Sequence, residues 1–155
     1  MTVTNHMMTG ALVALVVKQP SLAIPLALIS HFVIDAVPHY GYGSLPAGQR
    51  DKQKHFLGKQ IADTYFALGL FWLVPFLLRN HQASIITSLC MLVAFIPDAV
   101  WSFQYVRAQR QGSYQQWNWF TKFHKAIQWC ERPWGIYVEI AWFVAIVVAL
   151  RAIVT

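Results

Sequence analysis

Charged residues are scarce in this 155-residue chain, in which Asp, Glu, Lys and Arg together make up 12% of the sequence. Soluble domains normally carry about 25%, because their surface must be wetted. Hydrophobic residues account for 57%, and the mean hydropathy is +0.43. The shortage of charge argues against a globule with a fully aqueous surface and indicates that much of the surface faces lipid.

Cysteine is also rare, and the motifs of several large protein classes are missing. Cys90 and Cys130 form no CxxC pair and no disulfide framework, so we interpret them as ordinary buried or interfacial residues. No GxSxG motif, P-loop or dinucleotide fingerprint occurs. The chain is basic, with a net charge of +6 and a pI near 9.6. No RNA- or DNA-binding motif accompanies that charge, so the sequence predicts no nucleic-acid partner.

Five apolar segments dominate the rest of the sequence. They cover residues 5–17, 21–37, 56–78, 83–105 and 134–154, and a spanning helix needs about 20 such residues. Residues 113–132 place Phe120, Phe123 and His124 on one helical face close to several tryptophans, as is typical of a helix in the headgroup region. We therefore predict a single all-α domain, residues 1–155. It is a polytopic membrane bundle of about five spans plus an amphipathic interfacial helix.

The basic residues predict the orientation of this bundle. With five spans, one end (end A) carries the N-terminus, the 40–55 loop and the 106–133 stretch. The opposite end (end B) carries the 18–20 and 79–82 turns and the C-terminus. Nine Lys and Arg residues fall at end A (positions 50, 52, 54, 59, 107, 110, 122, 125 and 132) and three at end B (18, 79 and 151). Cytoplasmic loops are enriched in these residues, so we predict that end A faces the cytoplasm.

Acidic residues inside the apolar segments are concentrated at end A. An ionised carboxylate at bilayer depth costs several kcal/mol unless it has a partner, and four of them require a shared explanation. The acids are Asp35, Asp63, Asp98 and Glu139, and the histidines predicted at the same end are His6, His31, His39 and His124. Eight potential ligands in one layer predict a site for a divalent metal ion.

The most informative local motif is HFVIDAVPH, residues 31–39. His31 and Asp35 are four residues apart, so their side chains meet on one helix face with Cβ atoms about 5–6 Å apart. His39 follows the break at Pro38. Two nitrogens and an oxygen arranged in this way suit Zn²⁺ or a similar ion. The alternative is a structural hydrogen bond between histidine and aspartate.

Simpler interpretations also stay open for the other acids and histidines. Asp98 follows Pro97 and can cap a kinked helix. Asp63 can form an ion pair with Lys59, one turn earlier. A lone histidine such as His6 is as readily a hydrogen-bonded interior residue as a metal ligand.

A resemblance to a known family is carried by three runs, NHMMTGALVAL, SHFVIDAVPHY and FIPDAVW. They resemble the small bacterial proteins classed as membrane-bound metal-dependent hydrolases (the YdjM-like group). A more distant likeness connects the HxxxD motif and its following histidine with the zinc-dependent phospholipase C and single-strand nuclease fold. The resemblance implies a hydrolase of the bacterial inner membrane.

The expected function combines the residues with the resemblance. We expect a divalent-metal-dependent hydrolase that acts on a lipid or lipid-linked phosphoester or ester at the cytoplasmic leaflet. The expected metal is zinc, with manganese or iron as alternatives, bound as one or two ions. The expected ligands are His6, His31, Asp35, His39, Asp98 and His124. Asp63 or Glu139 is expected to bridge metals or to act as a general base.

A non-enzymatic protein is the alternative to this hydrolase. Buried acids and histidines also form ion or proton pathways, and a metal can simply hold helices together. The alternative is therefore a membrane protein with a structural metal or a buried polar network. It would serve in ion or proton handling or as a partner subunit.

Overall fold

The computed structural model describes residues 1–41, 50–78, 80–111 and 118–154. In these ranges the chain forms six helices: α1 (Val3–Val17), α2 (Pro20–Asp35), α3 (Arg50–Leu77), α4 (His81–Gln111), α5 (Trp119–Ile127) and α6 (Gly135–Val154). Two short strands, β1 (His39–Tyr40) and β2 (Glu131–Arg132), accompany them. The predicted helical class is therefore confirmed.

Three of these helices are long and apolar enough to cross a membrane: Gly58–Leu77 of α3, His81–Gln104 of α4, and Gly135–Val154. The helices α1 and α2 have 15 and 16 residues. At about 1.5 Å per residue they fall short of the ~30 Å hydrocarbon core. The prediction of about five spans is therefore not confirmed, whereas three membrane-length helices fit an integral membrane protein.

The short helix α1 lies at the centre of the bundle, where it packs against α2, α3, α4 and α6. Its residues 4–11 and Ala14 are all buried. Thr4, Asn5, His6 and Thr9 are among these buried residues, so the polar groups of α1 also face protein. Because its neighbours surround it, α1 can be shorter than the membrane is thick.

Small side chains let α1 approach α4 closely, as is common between helices in lipid. A Cβ atom at Gly10 would lie 2.5 Å from the carbonyl oxygen of Cys90 in α4. One helical turn away, Ala14 joins Ala23, Ala27 and Cys90 in a buried cluster. This close contact fixes α1 against α4 about two helical turns before Asp98.

The break between α1 and α2 falls where Lys18-Gln19-Pro20 predicts it. Lys18 adopts the left-handed conformation, with φ 57°, and its N–H donates to the carbonyl of Ala14 at 3.2 Å. Pro20 then occupies the first position of α2, where its missing N–H costs nothing. Two other helices begin earlier than predicted. Helix α1 begins at Val3 instead of residue 5, and α3 begins at Arg50 instead of residue 56.

The connection between α4 and α6 differs more from the prediction. The amphipathic helix was expected over residues 113–132, but in the described residues it is the nine-residue α5. Residues 113–117 lie outside the described residues. Glu131, expected on this helix, instead lies in β2, which pairs in parallel with β1 so that His39 faces Glu131. A two-residue strand has no periodic pattern by which the sequence could have revealed it.

Candidate metal centre

Four side chains at end A each offer a ligand atom, and these atoms all lie within 4.8 Å of one another: His6, His31, Asp35 and Asp98. They come from the start of α1, the end of α2 and the second half of α4. The side chains of the first three are fully buried, and that of Asp98 is 14% exposed. The group can therefore hold a metal ion, and Asp98 lies on its open side.

Asp35 is the centre of this group. Its Oδ1 lies 3.1 Å from Nε2 of His6, and its Oδ2 lies 3.3 Å from Nε2 of His31. Asp98 approaches the same two rings, with Oδ2 3.6 Å from His6 Nε2 and Oδ1 4.0 Å from His31 Nε2. Ligands about 2.0–2.2 Å from a tetrahedral zinc ion are themselves roughly 3.3–3.6 Å apart. The observed spacings of 3.1–4.0 Å bracket this range, so small side-chain shifts would bring all four ligand atoms to a single ion.

His124 of α5 closes the site from another side. Its Nε2 lies 3.0 Å from Asp35 Oδ2, 3.0 Å from His31 Nε2 and 3.6 Å from Asp98 Oδ1. The helix that carries it begins at Asn118, whose side chain accepts a hydrogen bond from the N–H of Thr121 at 2.9 Å. With its start fixed by this cap, α5 directs His124 inwards and is well placed to supply a further ligand.

Hydrogen bonds fix the chemical form of His31. Its Nδ1 lies 2.8 Å from the carbonyl oxygen of Ala94. A carbonyl can only accept, so Nδ1 carries the proton and Nε2 of the neutral ring keeps its lone pair. Metal-binding histidines usually donate their second ring N–H in this way. His31 is therefore held in the tautomer and orientation that a metal ligand needs.

His6, unlike His31, has no hydrogen bond that fixes its tautomer. Both of its ring nitrogens are buried and neither makes a hydrogen bond of acceptable geometry, although Nε2 lies 3.1 Å from Asp35 Oδ1. Leaving a buried polar atom unpaired costs about 1–3 kcal/mol. A ligand role would explain why a buried imidazole is kept there, since a metal ion would satisfy Nε2.

The Asp35 carboxylate also accepts hydrogen bonds from groups that the sequence analysis did not assign to the site. The amino group of Met1 contacts Oδ1, and the side-chain amide of Gln128 donates to Oδ2 at 3.2 Å. A metal ion bound by Oδ1 would compete with the Met1 amino group. Gln128 follows the end of α5 and is brought to Asp35 only by the packing of α5 against α2, so no sequence pattern indicates it.

The other two acids of the predicted layer bind backbone amides. The N–H of Thr2 donates to Glu139 Oε1 at 3.1 Å, and the N–H of Val3 donates to Asp63 Oδ2 at 2.7 Å. The first N–H groups of a helix have no partner within it and form the positive end of its dipole. Asp63 and Glu139 therefore cap α1, which accounts for two carboxylates inside apolar helices.

Asp63 and Glu139, the two residues that cap α1, differ in whether one carboxylate oxygen is left without a hydrogen bond. Asp63 also receives the N–H of Thr4 at 3.4 Å, and Lys59, a possible partner for it, instead donates to the hydroxyl of Tyr40 at 3.1 Å. Glu139 Oε1 accepts a second bond from the N–H of Tyr40 at 3.3 Å, while its Oε2 is buried without a hydrogen-bond partner. Only Glu139 thus retains an oxygen for another role.

His39, predicted as a ligand, lies in β1 outside the four-residue group. Its Nδ1 lies 2.8 Å from the carbonyl oxygen of Val37, so this nitrogen carries the proton. Its Nε2 has no hydrogen-bond partner and lies 3.9 Å from Oε1 of Glu131. Burial, with a smaller contribution from the amino-terminal group, lowers the pKa of His39 to about 4. The ring is therefore neutral near pH 7.

Comparison with protein-family models, curated proteins and solved structures finds no match to this chain. The described part of the chain is mostly helical and contains three helices of membrane-spanning length. At one end of its bundle a buried group of histidines and aspartates can hold a metal ion.

Proposed function

We propose that this chain is an integral-membrane hydrolase that uses a divalent metal ion, foremost zinc, to cleave a phosphoester or ester in a lipid or lipid-linked substrate. The observation that carries this proposal is the convergence of His6, His31, Asp35 and Asp98. The resemblance to the membrane-bound metal-dependent hydrolases supports it and suggests the cytoplasmic leaflet of a bacterial inner membrane as its location.

The ligand chemistry favours zinc, manganese or iron. Imidazole nitrogens combined with carboxylate oxygens suit these ions better than soft or purely oxygen-binding metals. Two carboxylates, those of Asp35 and Asp98, balance the charge of one divalent ion. A bound ion would supply Lewis-acid chemistry, by activating water and polarising an ester oxygen. A catalytic site keeps one position open, and the partial exposure of Asp98 supports such an opening.

The residues around the group have distinct proposed tasks. Ala94 orients His31 through its carbonyl, and His124 closes the site towards α5. Glu139, with one oxygen free, is proposed to accept the proton released from water as a general base. Asp63 is proposed to position the start of α1, and therefore His6, through its hydrogen bonds to backbone amides.

Surface residues at end A support a substrate at the membrane interface. Trp119 and Trp129 are largely exposed on either side of His124, and tryptophan is enriched at the level of the headgroups. Arg107 and Lys122 are exposed at the same end. Their charges would attract an anionic headgroup, which supports the assignment of end A to the cytoplasmic side.

A buried polar network without catalysis is the second candidate function. Asp35 accepts from Met1, Gln128 and His124, and these partners satisfy a buried carboxylate even without a metal. In that case the centre would serve to hold helices together or to handle protons. Metal content separates the two functions.

The decisive experiment is elemental analysis of the detergent-purified protein beside a His31→Ala/Asp35→Ala variant. The matched control is His81→Ala, which changes an exposed histidine at end B. We expect near-stoichiometric zinc, manganese or iron in the wild type and the control. We expect none in the double variant, even when it inserts in membranes and elutes from gel filtration like the wild type.

The wild type is then assayed for release of the headgroup or the acyl chain from phosphatidylglycerol and phosphatidic acid. Hydrolysis that depends on His31 and Asp35 would support the proposed activity. Metal retained in the double variant would contradict the ligand assignment. An absence of metal in the wild type, also after incubation with zinc, would overturn the hydrolase and favour the polar network.

A further inference from the structure

A groove with a volume of about 430 Å³ lies beside the metal centre, between α2, α4 and α5. Its walls are apolar side chains, among them Leu28, Phe32, Ile96, Val100, Phe120 and Phe123. This volume falls within the range of about 300–1,000 Å³ that is usual for small-molecule sites. The groove is distinct from the metal centre, whose ligands are polar.

The groove and the metal centre share a wall. The ring of Phe32 meets that of His31 edge-on, with centroids 5.1 Å apart, and the ring of Phe120 stacks on that of His124 at 6.0 Å. Pro97, another groove residue, directly precedes Asp98. Groove residues thus pack directly on two histidines of the centre, so a molecule in the groove would lie beside the metal centre.

The surroundings of the groove determine the chemistry of its occupant. Leu28 and Ile96 are 38% and 49% exposed on the outer faces of α2 and α4, and α4 is one of the membrane-length helices. In a bilayer such faces contact hydrocarbon, and the described residues that line the groove are aliphatic, aromatic or proline, without a charged group to recognise a headgroup. Aliphatic and aromatic walls favour a flexible alkyl chain through many small dispersion contacts.

We propose that this groove binds one hydrocarbon chain of a membrane lipid and so presents the ester or phosphoester near its head to the metal centre. The presentation of a substrate rests on the proposed function. Binding of the chain itself depends only on the apolar walls, and it should therefore persist when the metal ligands are removed.

Photocrosslinking in nanodiscs tests the proposal. The full chain is placed in phosphatidylglycerol nanodiscs that contain a trace of phosphatidylglycerol with a diazirine in one acyl chain. After illumination, the labelled residues are mapped by mass spectrometry. We expect labelling of residues 96–100 and 119–123 to exceed several-fold that of the lipid-facing residues Ile140, Val144, Val147 and Val148 of α6.

Two tryptophan variants provide a matched pair. Ile96→Trp fills the groove, whereas Leu89→Trp adds the same bulk seven residues earlier, on the same face of α4, where the side chain is 44% exposed. We expect a several-fold loss of groove labelling in the first and none in the second. Leu28→Trp, from the α2 wall, repeats the test, and an unchanged metal content in either groove variant shows that the centre is intact.

The outcomes separate this proposal from the proposed function. Uniform labelling of all lipid-facing segments, equal effects of Ile96→Trp and Leu89→Trp, or crosslinks between two copies through the groove would overturn the chain-binding site. If one of these results is obtained with a protein that binds metal and hydrolyses lipid, the chain-binding groove is refuted and the proposed hydrolase is not. Preferential labelling that persists in His31→Ala/Asp35→Ala supports the groove, even if neither metal nor hydrolysis is found.

Discussion

Two pairs of carboxylates lie at the same end of the bundle and have different partners. Asp35 and Asp98 face imidazole nitrogens, whereas Asp63 and Glu139 face the backbone N–H groups at the start of α1. Amide hydrogens satisfy an anion directly. Asp35 also accepts from the Met1 amino group and from Gln128, but the imidazole nitrogens that converge on Asp35 and Asp98 provide, with these carboxylates, the donor set of a cation site. An acid buried in an apolar helix is therefore not by itself a metal ligand, since its neighbours determine its role.

The two pairs are nevertheless connected through the first residues of the chain. Consecutive backbone nitrogens of Met1, Thr2 and Val3 donate to Asp35, Glu139 and Asp63. These bonds fix the start of α1, and His6 follows in the next turn. The capping pair thus positions a side chain that the metal-facing pair uses.

The largest expected effect is on metal affinity in Asp98→Asn. This change removes the charge of a ligand and keeps its size, so zinc affinity should fall at least tenfold, as even changes beyond the ligands cost about 10–100-fold. The melting temperature of the metal-free protein should change little, because Asp98 is partly exposed. Competition with a chromophoric chelator measures the affinity, and an unchanged value would remove Asp98 from the metal-facing pair.

Gly10→Ala should separate α1 from α4 and so disturb both the metal-facing and the capping pair of carboxylates. The new Cβ would lie 2.5 Å from the carbonyl oxygen of Cys90, and backbone cannot yield as a flexible side chain does. We expect a loss of about 1–3 kcal/mol in stability and weaker zinc binding. Thermal unfolding in detergent, followed by circular dichroism, measures the first effect. The matched control is Gly69→Ala in α3, where a Cβ has no neighbour within 4 Å, and a comparable loss there would contradict the explanation.

Asp63→Asn should produce the reverse of the Asp98 variant. Weakening a helix cap and its interaction with the helix dipole costs about 1 kcal/mol, so the melting temperature should fall. Metal content should stay at the wild-type level, because Asp63 lies outside the four-residue group. If the Asp63→Asn protein keeps its melting temperature and loses its metal, Asp63 would belong with the metal-facing carboxylates and not with the capping ones.

His39→Gln tests the neutral histidine beside the capping region. The folded protein holds the pKa of His39 at about 4, below its ordinary value of 6.5. Protonation is thus easier in the unfolded chain, so this contribution to stability is complete above about pH 6.5 and is lost as the pH falls towards 4. Near pH 6 the loss is less than about 1 kcal/mol. Melting temperatures of wild type and variant over this range should diverge in slope; parallel curves would show that His39 titrates normally.

The sequence predicted those parts of the molecule that depend on local pattern. Apolar runs and the Lys18-Gln19-Pro20 break place the ends of α1, α2 and α6 within about two residues. The i, i+4 spacing of His31 and Asp35 places both on one face. Alternating topology was enough to expect the acids and histidines at one end. The structure brings His6 and Asp98 to that pair, and His124 from α5.

The remaining features depend on which helices are neighbours. Asp63 and Glu139 have the same depth and charge as Asp35, and only packing around α1 gives them backbone amides in place of imidazoles. Gln128 reaches Asp35 across 93 residues of sequence. The enclosure of α1 by other helices likewise depends on packing, which hydropathy alone does not reveal.

The most direct test is the metal content of four isosteric variants, purified in parallel with the wild type: Asp35→Asn, Asp98→Asn, Asp63→Asn and Glu139→Gln. Elemental analysis should show metal lost or strongly reduced in the first two and retained in the last two. Equal losses in all four, or metal lost only with Asp63 or Glu139, would contradict the division of the carboxylates on which the proposed metal centre rests.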